Sequence, residues 1–296
     1  MITLSRINKH LAGLRIWMDA KGHSKRTVQS YLHTIRMFLT TDPWGDEYKY
    51  ADIIAYFEKV SKSHLHIATK KLRLVHLKKY YDYLVATNYR RDHPCARFHL
   101  SGKTDRSVIQ SDLFSMEELE AILNMEDGWG DQPEKNKTVM SLLIYQGLSK
   151  NELLKMKISD IDMENGIIRM RANRKQLARE LEMKPKQFAI LHKYLNEERE
   201  KWLKEDTDTL IINQYGKAAS IIRYTFEPFK QIYPDRKLEP ATIRESVISH
   251  WLNVQKIPME QVQLMAGLRW ISSVERYLHL LKEEEQEILK KFHPMG

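Results

Sequence analysis

The sequence contains one cysteine, Cys95, among its 296 residues. An intramolecular disulfide needs two cysteines, and a cysteine zinc site needs more than one, so neither is expected. Long apolar runs are also missing: the longest, such as Leu142 to Tyr145, fall far short of the roughly 20 residues that span a bilayer. The amino-terminal segment lacks the apolar core of a signal peptide. These absences predict a cytoplasmic protein with no membrane partner.

Acidic residues are scarce in the first third of the chain. Residues 1–106 hold 20 lysines and arginines against 9 aspartates and glutamates, a formal charge of +11, whereas the other 190 residues hold 28 against 30. A basic excess concentrated in this way usually faces a polyanion, most often nucleic acid. The alternative is a basic surface that only aids solubility. We therefore predict a nucleic-acid partner.

The most basic helical pattern covers residues 67–87. Two lysine pairs lie about two helical turns apart there, on what we predict to be a shared face suited to phosphate contacts. A solvated helix face is the alternative. The candidate DNA contacts on or beside this helix are Lys70, Lys71, Arg73, Lys78, Lys79, Arg90 and Arg91.

The chain divides into an amino-terminal DNA-binding domain, residues 1–105, and a carboxy-terminal domain, residues 113–296. Helical patterns fill the first domain at 5–20, 24–39, 50–61 and 67–87. Residues 88–112 lose periodicity and predict a basic interdomain linker region. The second domain is mostly helical, with helices expected at 115–124, 138–146, 186–202, 222–232 and 282–292. Strands are expected at 166–171 and 177–183, around a basic hairpin tip. The fold class is therefore mainly α.

The stretch from Glu239 to His279 carries the chemistry that we expect of this protein. It predicts two amphipathic helices, an apolar turn and a short helix that carries Tyr277. The first of these helices contains Arg244. An arginine and a tyrosine brought together by such a hairpin of helices would form a phosphate clamp and a nucleophile.

Taken together, these segments resemble the tyrosine recombinase (phage integrase) family, in an arrangement similar to the Xer-type resolvases. The resemblance lies in YQGLSKNELLKMKISDIDMENGIIRM from Tyr145 to Met170, in the stretch from Pro240 to Tyr277, and in the closing Phe292-His293-Pro294. It implies a four-helix, SAM-like core-binding domain followed by a mostly helical catalytic domain with a small β-hairpin.

The resemblance also implies a chemistry. In this family a tyrosine attacks a backbone phosphate and leaves a 3′-phosphotyrosyl link, two arginines and one or two histidines stabilise the charge, and a hairpin lysine protonates the departing 5′-oxygen. The resemblance implies no metal, cofactor or small-molecule substrate. It implies double-stranded DNA as the partner and a cytoplasmic, nucleoid-associated location. Tyr277 falls on the nucleophile and Arg244 on the second arginine. The hairpin lysine matches Lys175 if the turn is two residues longer, or Asn173 without a gap.

The family pattern is broken at three charge-stabilising positions. Ser149 stands at the first arginine, before Glu152, while Ala241 and Leu268 stand at two histidines. Losing one such donor typically costs about 3–4 kcal/mol in the transition state, so compensation would be needed. The candidates for compensation are Lys150, Arg174, Arg269 and Arg276.

Two principal hypotheses follow. The first is an active site-specific recombinase or integrase that binds as a dimer on each DNA site and forms a tetramer in synapsis, alone or with a partner recombinase. The second is a catalytically inactive homologue that serves as an accessory, architectural or regulatory DNA-binding protein. An RNA-binding or purely structural helical protein is a third hypothesis, which a preference for duplex DNA over RNA would exclude.

Overall fold

The computed structural model of the chain describes residues 2–102, 108–173, 176–220 and 222–278. The fold is mainly α-helical with one small antiparallel sheet, as the sequence predicts. The chain forms two compact units, Met1–Asp105 and Arg106–Gly296, and each has its own hydrophobic core. Across the described ranges, no helix has the length and apolar character needed to cross a membrane.

The described part of the first unit contains four α-helices: α1 (Ile2–Ala20), α2 (Lys25–Thr41), α3 (Tyr50–Ser61) and α4 (Ile67–Ala86). The apolar stripe predicted for α1 is buried, with Leu14 and Met18 fully enclosed. Ser24 begins α2 as its N-cap, because its hydroxyl oxygen accepts a hydrogen bond from the Thr27 amide. The predicted four-helix domain is therefore confirmed.

A few apolar residues of the segment predicted as a linker belong to the two cores. Cys95 is buried in the first unit, and the Phe98 ring stacks on Phe57 with ring centroids 5.1 Å apart. Val108 is buried in the core of the second unit. Apolar residues near both ends of the predicted range of 88–112 thus pack into the units that they adjoin. Residues 103–107 lie outside the described chain.

The second unit is built around a buried helix. Its helices are α5 (Met116–Leu123), α6 (Pro133–Gln146), α7 (Lys150–Leu153), α8 (Pro185–Lys193), α9 (Arg199–Trp202), α10 (Pro240–Asn253), α11 (Met259–Met265) and α12 (Ser272–Glu275). Helix α6 packs against α5, α8 and α10. It is therefore buried on nearly all sides, and Leu142, Leu143 and Ile144 are enclosed.

The sheet of the second unit has three antiparallel strands in the order β1 (Ile161–Asp162), β2 (Ile167–Met170) and β3 (Arg179–Glu182). Ile168 pairs with Leu181, and both side chains are buried. Since side chains alternate along a strand, Arg179 lies on the same core-facing side as Leu181. The predicted hairpin strands are thus present, and β1 adds a third strand that the sequence reading missed.

Several predicted elements differ from the structure. The helix predicted at 222–232 was wrong: the described chain has only short 3-10 turns at Arg223–Thr225 and Glu227–Phe229, because Pro228 removes a helical N–H donor. The helix predicted at 186–202 is interrupted by a π-helical turn, Tyr194–Glu198. Tyr277 lies just beyond the end of α12 rather than within it. The terminal helix predicted at 282–292 lies outside the described residues.

Candidate functional site

A basic cleft of about 980 Å³ opens in the second unit. Its walls are the start of α7, the first turns of α10 and the segment that ends at Tyr277. Acidic residues in the lining are Glu239 and Glu245. The cationic residues in the lining are Lys150, Arg223, Lys230, Arg236, Lys237, Arg244 and Arg276. This excess of positive charge suits an anionic ligand such as a DNA phosphate.

Tyr277 lies at the cleft and is largely buried, with 4% of its surface exposed. Its amide donates to the Val274 carbonyl oxygen at 2.9 Å, which holds it one turn from α12. The Arg276 guanidinium lies 5.0 Å from the centre of its ring. Burial raises the pKa of the Tyr277 hydroxyl to about 12, although Arg276 acts in the opposite direction. The hydroxyl is therefore protonated near neutral pH.

Arg244 is anchored by the carboxy-terminal ends of two helices. Helix α10 begins with Pro240 at its first position, and Arg244 follows one turn later. Its Nη1 donates to the Gly147 carbonyl oxygen at the end of α6, and its Nη2 donates to the Ala266 carbonyl oxygen at the end of α11, at 2.6 Å. Helix ends of this kind attract cations. Burial lowers the pKa of Arg244, but a guanidinium stays protonated in proteins.

Glu152 connects this arginine to a second one that the sequence reading missed. Its Oε2 lies 3.6 Å from Arg244 Nη1, and its Oε1 accepts a hydrogen bond from Arg179 Nη1 at 2.6 Å. The side chains of Glu152 and Arg179 are only 2% and 5% exposed. Burial alone would raise the pKa of Glu152, but the charge and hydrogen bond of Arg179, the hydrogen bond from the Ser149 amide and the charge of Arg244 together hold the pKa below its usual value.

Periodicity could have identified Arg179. In the predicted strand 177–183, Arg179 shares every second position with Leu177, Leu181 and Met183, while an alanine and two glutamates occupy the others. An arginine on an apolar strand face requires a buried partner. Glu152 is that partner, but the sequence does not reveal the pairing, because α7 and β3 meet only in the folded unit.

The three positions that break the family pattern all line the cleft. Ser149 has a structural role as the N-cap of α7: its hydroxyl oxygen accepts from the Glu152 amide at 3.3 Å and from Gln176 Nε2 at 3.0 Å. Ala241 is exposed on the first turn of α10, and Leu268 is partly buried against the core. The structure thus brings all three positions together with Arg244 and Tyr277.

The cations considered as compensation are placed differently. Lys150 is exposed and lines the cleft. Arg276 also lines it and forms an ion pair with Glu245. Arg269 is exposed and does not line the cleft within the described chain. Arg174 and Lys175, at the hairpin tip, lie outside the described residues. Asn173, on the near side of that tip, donates to Gln176 Oε1 at 2.7 Å.

The candidate DNA-contact lysines of the first unit are tethered within that unit. Lys70, Lys71 and Lys78 each donate from Nζ to a backbone carbonyl oxygen, at 2.7, 2.5 and 3.3 Å. Lys79 lies 3.8 Å from Asp82. Each ammonium group has three N–H donors, so these tethers orient the lysines along α4 and leave donors for a phosphate.

The candidate arginines of the first unit fall into two groups. Arg90 has a structural role, since it donates to the carbonyl oxygens of Asp46 and Tyr48 at 2.6 and 3.0 Å and pairs with Asp92. Arg73 is half-buried, whereas Arg91 is exposed. Arg91 is therefore the more accessible of these arginines, and Arg90 holds the end of α4 against the unit.

The two helical units, with a basic cleft in the second, identify the protein as integrase-like. The family model described as "Phage integrase family" matches residues 113–284. The chain therefore belongs to the phage integrase family, the tyrosine recombinases.

Similar proteins span nearly the whole chain. Tyrosine recombinase XerD of Oceanobacillus iheyensis is 24% identical over 280 residues, which cover 91% of this chain and 90% of that protein. XerH site-specific recombinase bound to a palindromic difH substrate has a TM-score of 0.67 at 20% identity, with 91% and 80% of the two chains covered. A lambda integrase dimer bound to a core site has a TM-score of 0.68 at 14% identity, with 91% and 94% covered.

Proposed function

We propose that this protein is a site-specific DNA recombinase that cuts and rejoins duplex DNA through a phosphotyrosyl intermediate on Tyr277. The observation that carries the proposal is the position of Tyr277 and Arg244 in one basic cleft. The names of the relatives are consistent with it, since XerD is a tyrosine recombinase and XerH is bound to its DNA substrate. Recombination, as integration, excision or resolution, is the common role of such proteins.

The proposed reaction begins with attack of the Tyr277 hydroxyl oxygen on a backbone phosphorus. The P–O bond to tyrosine forms as the P–O bond to the 5′-oxygen breaks, and the strand keeps a 3′-phosphotyrosyl link. With a pKa of about 12, the hydroxyl first gives its proton to solvent water, the phenolate oxygen then attacks, and a separate proton reaches the leaving 5′-oxygen. Lys175 is our candidate for that proton donor.

Arg244 is proposed to stabilise the negative charge on the phosphorane. Its two bonds to helix-end carbonyls hold the guanidinium in place before DNA arrives. Such preorganised donors contribute most when charge develops in a buried site. The lysines along α4 are proposed to hold the DNA backbone, because phosphate contacts position a duplex without reading its bases.

The test is a covalent trapping experiment on a duplex chosen first by binding selection. The protein is incubated with a nicked version of that duplex, and protein–DNA adducts that resist SDS are measured. We expect an adduct with the wild type and none with Tyr277→Phe. Tyr233→Phe is a matched control, since Tyr233 also lines the cleft. An adduct that persists in Tyr277→Phe would refute the role of this tyrosine.

A second candidate function is a DNA-binding accessory or regulatory protein without catalysis. The replacements at Ser149, Ala241 and Leu268, all in the cleft, favour it. Tight, specific binding with no adduct from any variant would support this function. In either case we propose assembly on DNA as a dimer per site, with a tetramer in synapsis, which the mass of the complex on one and two sites would test.

A further inference from the structure

We infer that Arg179 is a positioning residue that replaces the charge missing at Ser149. By pairing with Glu152, it leaves the charge of Arg244 available to a phosphate. This inference rests on the proposed function, because it assigns a role within the same site. It concerns a residue that the family pattern of the sequence does not include.

The argument starts from the charge around Glu152. This buried carboxylate has two cationic neighbours, Arg179 at 2.6 Å and Arg244 at 3.6 Å. With serine at position 149, Arg179 is the cation that balances it. The three groups together carry one net positive charge. Without Arg179, Glu152 would neutralise Arg244, and the site would offer a phosphate no net charge from this group.

The geometry gives the two arginines different roles. Arg179 makes the shorter contact with Glu152 and is almost fully enclosed, with 5% of its side chain exposed. It does not line the cleft within the described chain, whereas Arg244 does. Arg179 therefore acts on a bound phosphate through Glu152 and Arg244, and Arg244 faces the ligand.

Burying Arg179 costs folding free energy, which indicates that this residue has a function other than stability. Its Nε and Nη2 are buried and have no hydrogen-bond partner within the described part of the chain. Its neighbours along the strand on the same side, Leu177 and Leu181, are apolar. Replacing buried ion pairs by apolar residues is often neutral or stabilising. Stability alone therefore does not account for an arginine at this position.

Gly267 makes room for this guanidinium. A Cβ atom added at Gly267 would come within 2.1 Å of Arg179 Nη1 and 2.7 Å of its Cζ. The adjoining chain is fixed in place, since the Leu177 amide donates to the Gly267 carbonyl oxygen at 3.0 Å and Gln176 forms a β-bridge with Leu268. The turn after α11 thus holds Gln176 and Leu177 against the site, and Gly267 leaves space for the Arg179 side chain.

The test compares charge variants of the pair. Arg179→Met, which keeps an unbranched apolar stem but removes the guanidinium and its charge, should slow adduct formation by about 10²- to 10³-fold, the usual effect of losing a preorganised charge. Arg179→Met combined with Glu152→Gln should recover most of that loss, because removing both charges restores the net charge of Arg244. A purely structural role predicts instead that, once rates are corrected for the folded fraction, Arg179→Met forms the adduct as fast as the wild type.

Two controls separate folding from charge. Arg169→Met changes an exposed arginine on the adjacent strand, paired with Asp162 and Glu180, and should leave adduct formation within about twofold. Arg179→Lys keeps the positive charge and should retain more activity than Arg179→Met. Equal activity of the lysine and methionine variants would overturn the inference.

A binding readout keeps the inference testable without cleavage. A neutral methylphosphonate replaces one phosphate at a time through the centre of the selected duplex. The affinity of the protein for each substituted duplex is compared with its affinity for the unmodified duplex. We expect the wild type to prefer the charged phosphate at one position, and Arg179→Met to lose most of that preference. If the wild type shows this preference but forms no adduct, and Arg179→Met loses the preference, the proposed function is refuted while the inference is supported. An unchanged preference in Arg179→Met, or no preference in the wild type, would overturn the inference.

Discussion

Substituting Gly267 by alanine should dislodge Arg179 and reveal the energy of its buried pair with Glu152. The backbone at Gly267 has φ of +63°, in the left-handed region, where a Cβ costs about 1–2 kcal/mol. The new Cβ would also lie 2.1 Å from Arg179 Nη1, so the guanidinium has to move away from Glu152.

The magnitude follows from this geometry. Breaking a buried ion pair by displacing one partner costs about 3–5 kcal/mol. We take the lower end, about 3 kcal/mol, because Arg244 stays within 3.6 Å of Glu152 and still compensates part of its charge. Gly267→Ala should therefore lower the free energy of unfolding by about 4–5 kcal/mol in total.

Urea denaturation of the full chain, followed by intrinsic fluorescence, measures this change. Gly166→Ala is the matched control: φ there is +67°, and an added Cβ meets nothing within 4 Å. Gly166→Ala should lower the free energy of unfolding only by the backbone strain of about 1–2 kcal/mol. In an Arg179→Met background, Gly267→Ala should cost nearly the same as the control. Equal losses for both glycines in the wild-type background would refute the reasoning.

Three further predictions concern the same site. The pKa of Glu152 is held below its usual value. Its contribution to stability is therefore present above the unfolded pKa of about 4.3 and is lost as pH falls through the lower folded pKa. Urea titrations from pH 7 to pH 3 should show this loss of stability in the wild type and a smaller loss in Glu152→Gln. Ser149→Ala removes the N-cap of α7 and should cost about 1 kcal/mol in the same assay, as should Ser115→Ala at the equivalent cap of α5. Because the pKa of Tyr277 is about 12, adduct formation should become faster between pH 7 and pH 9 as the phenolate fraction grows, and a rate that falls over this range would contradict attack by the phenolate.

The sequence predicted the helices well where their ends carry local signals. Ser24 and Ser115 accept hydrogen bonds from the amides three residues later, as N-caps do, and α3 has the predicted bounds. Such signals need only neighbouring residues. The helix predicted at 222–232 failed because a periodic apolar pattern was given more weight than Pro228, which breaks the hydrogen-bond ladder.

The candidate site was predictable only in part. Tyr277 and Arg244 were found through motif order, and both line the cleft. Arg179 was missed because its partner Glu152 lies 27 residues away in sequence, and the pairing depends on how β3 and α7 meet in the folded unit. The available clue was a charged residue in the apolar register of a strand, which predicts burial but not the partner.

The departures from the family pattern have different consequences once charge is considered in three dimensions. At Ser149 the missing side chain leaves a buried carboxylate to be balanced, and Arg179 balances it at 2.6 Å. Among the described residues of the second unit, no buried carboxylate oxygen lacks a hydrogen-bond partner, so the cost at Ala241 and Leu268 is the lost stabilisation of the phosphorane. That cost falls on the rate of cleavage, since such donors act mainly in the transition state. We therefore expect a pocket that is organised for DNA phosphate but cuts slowly, with Lys150 and Arg276 among the cations of the cleft wall.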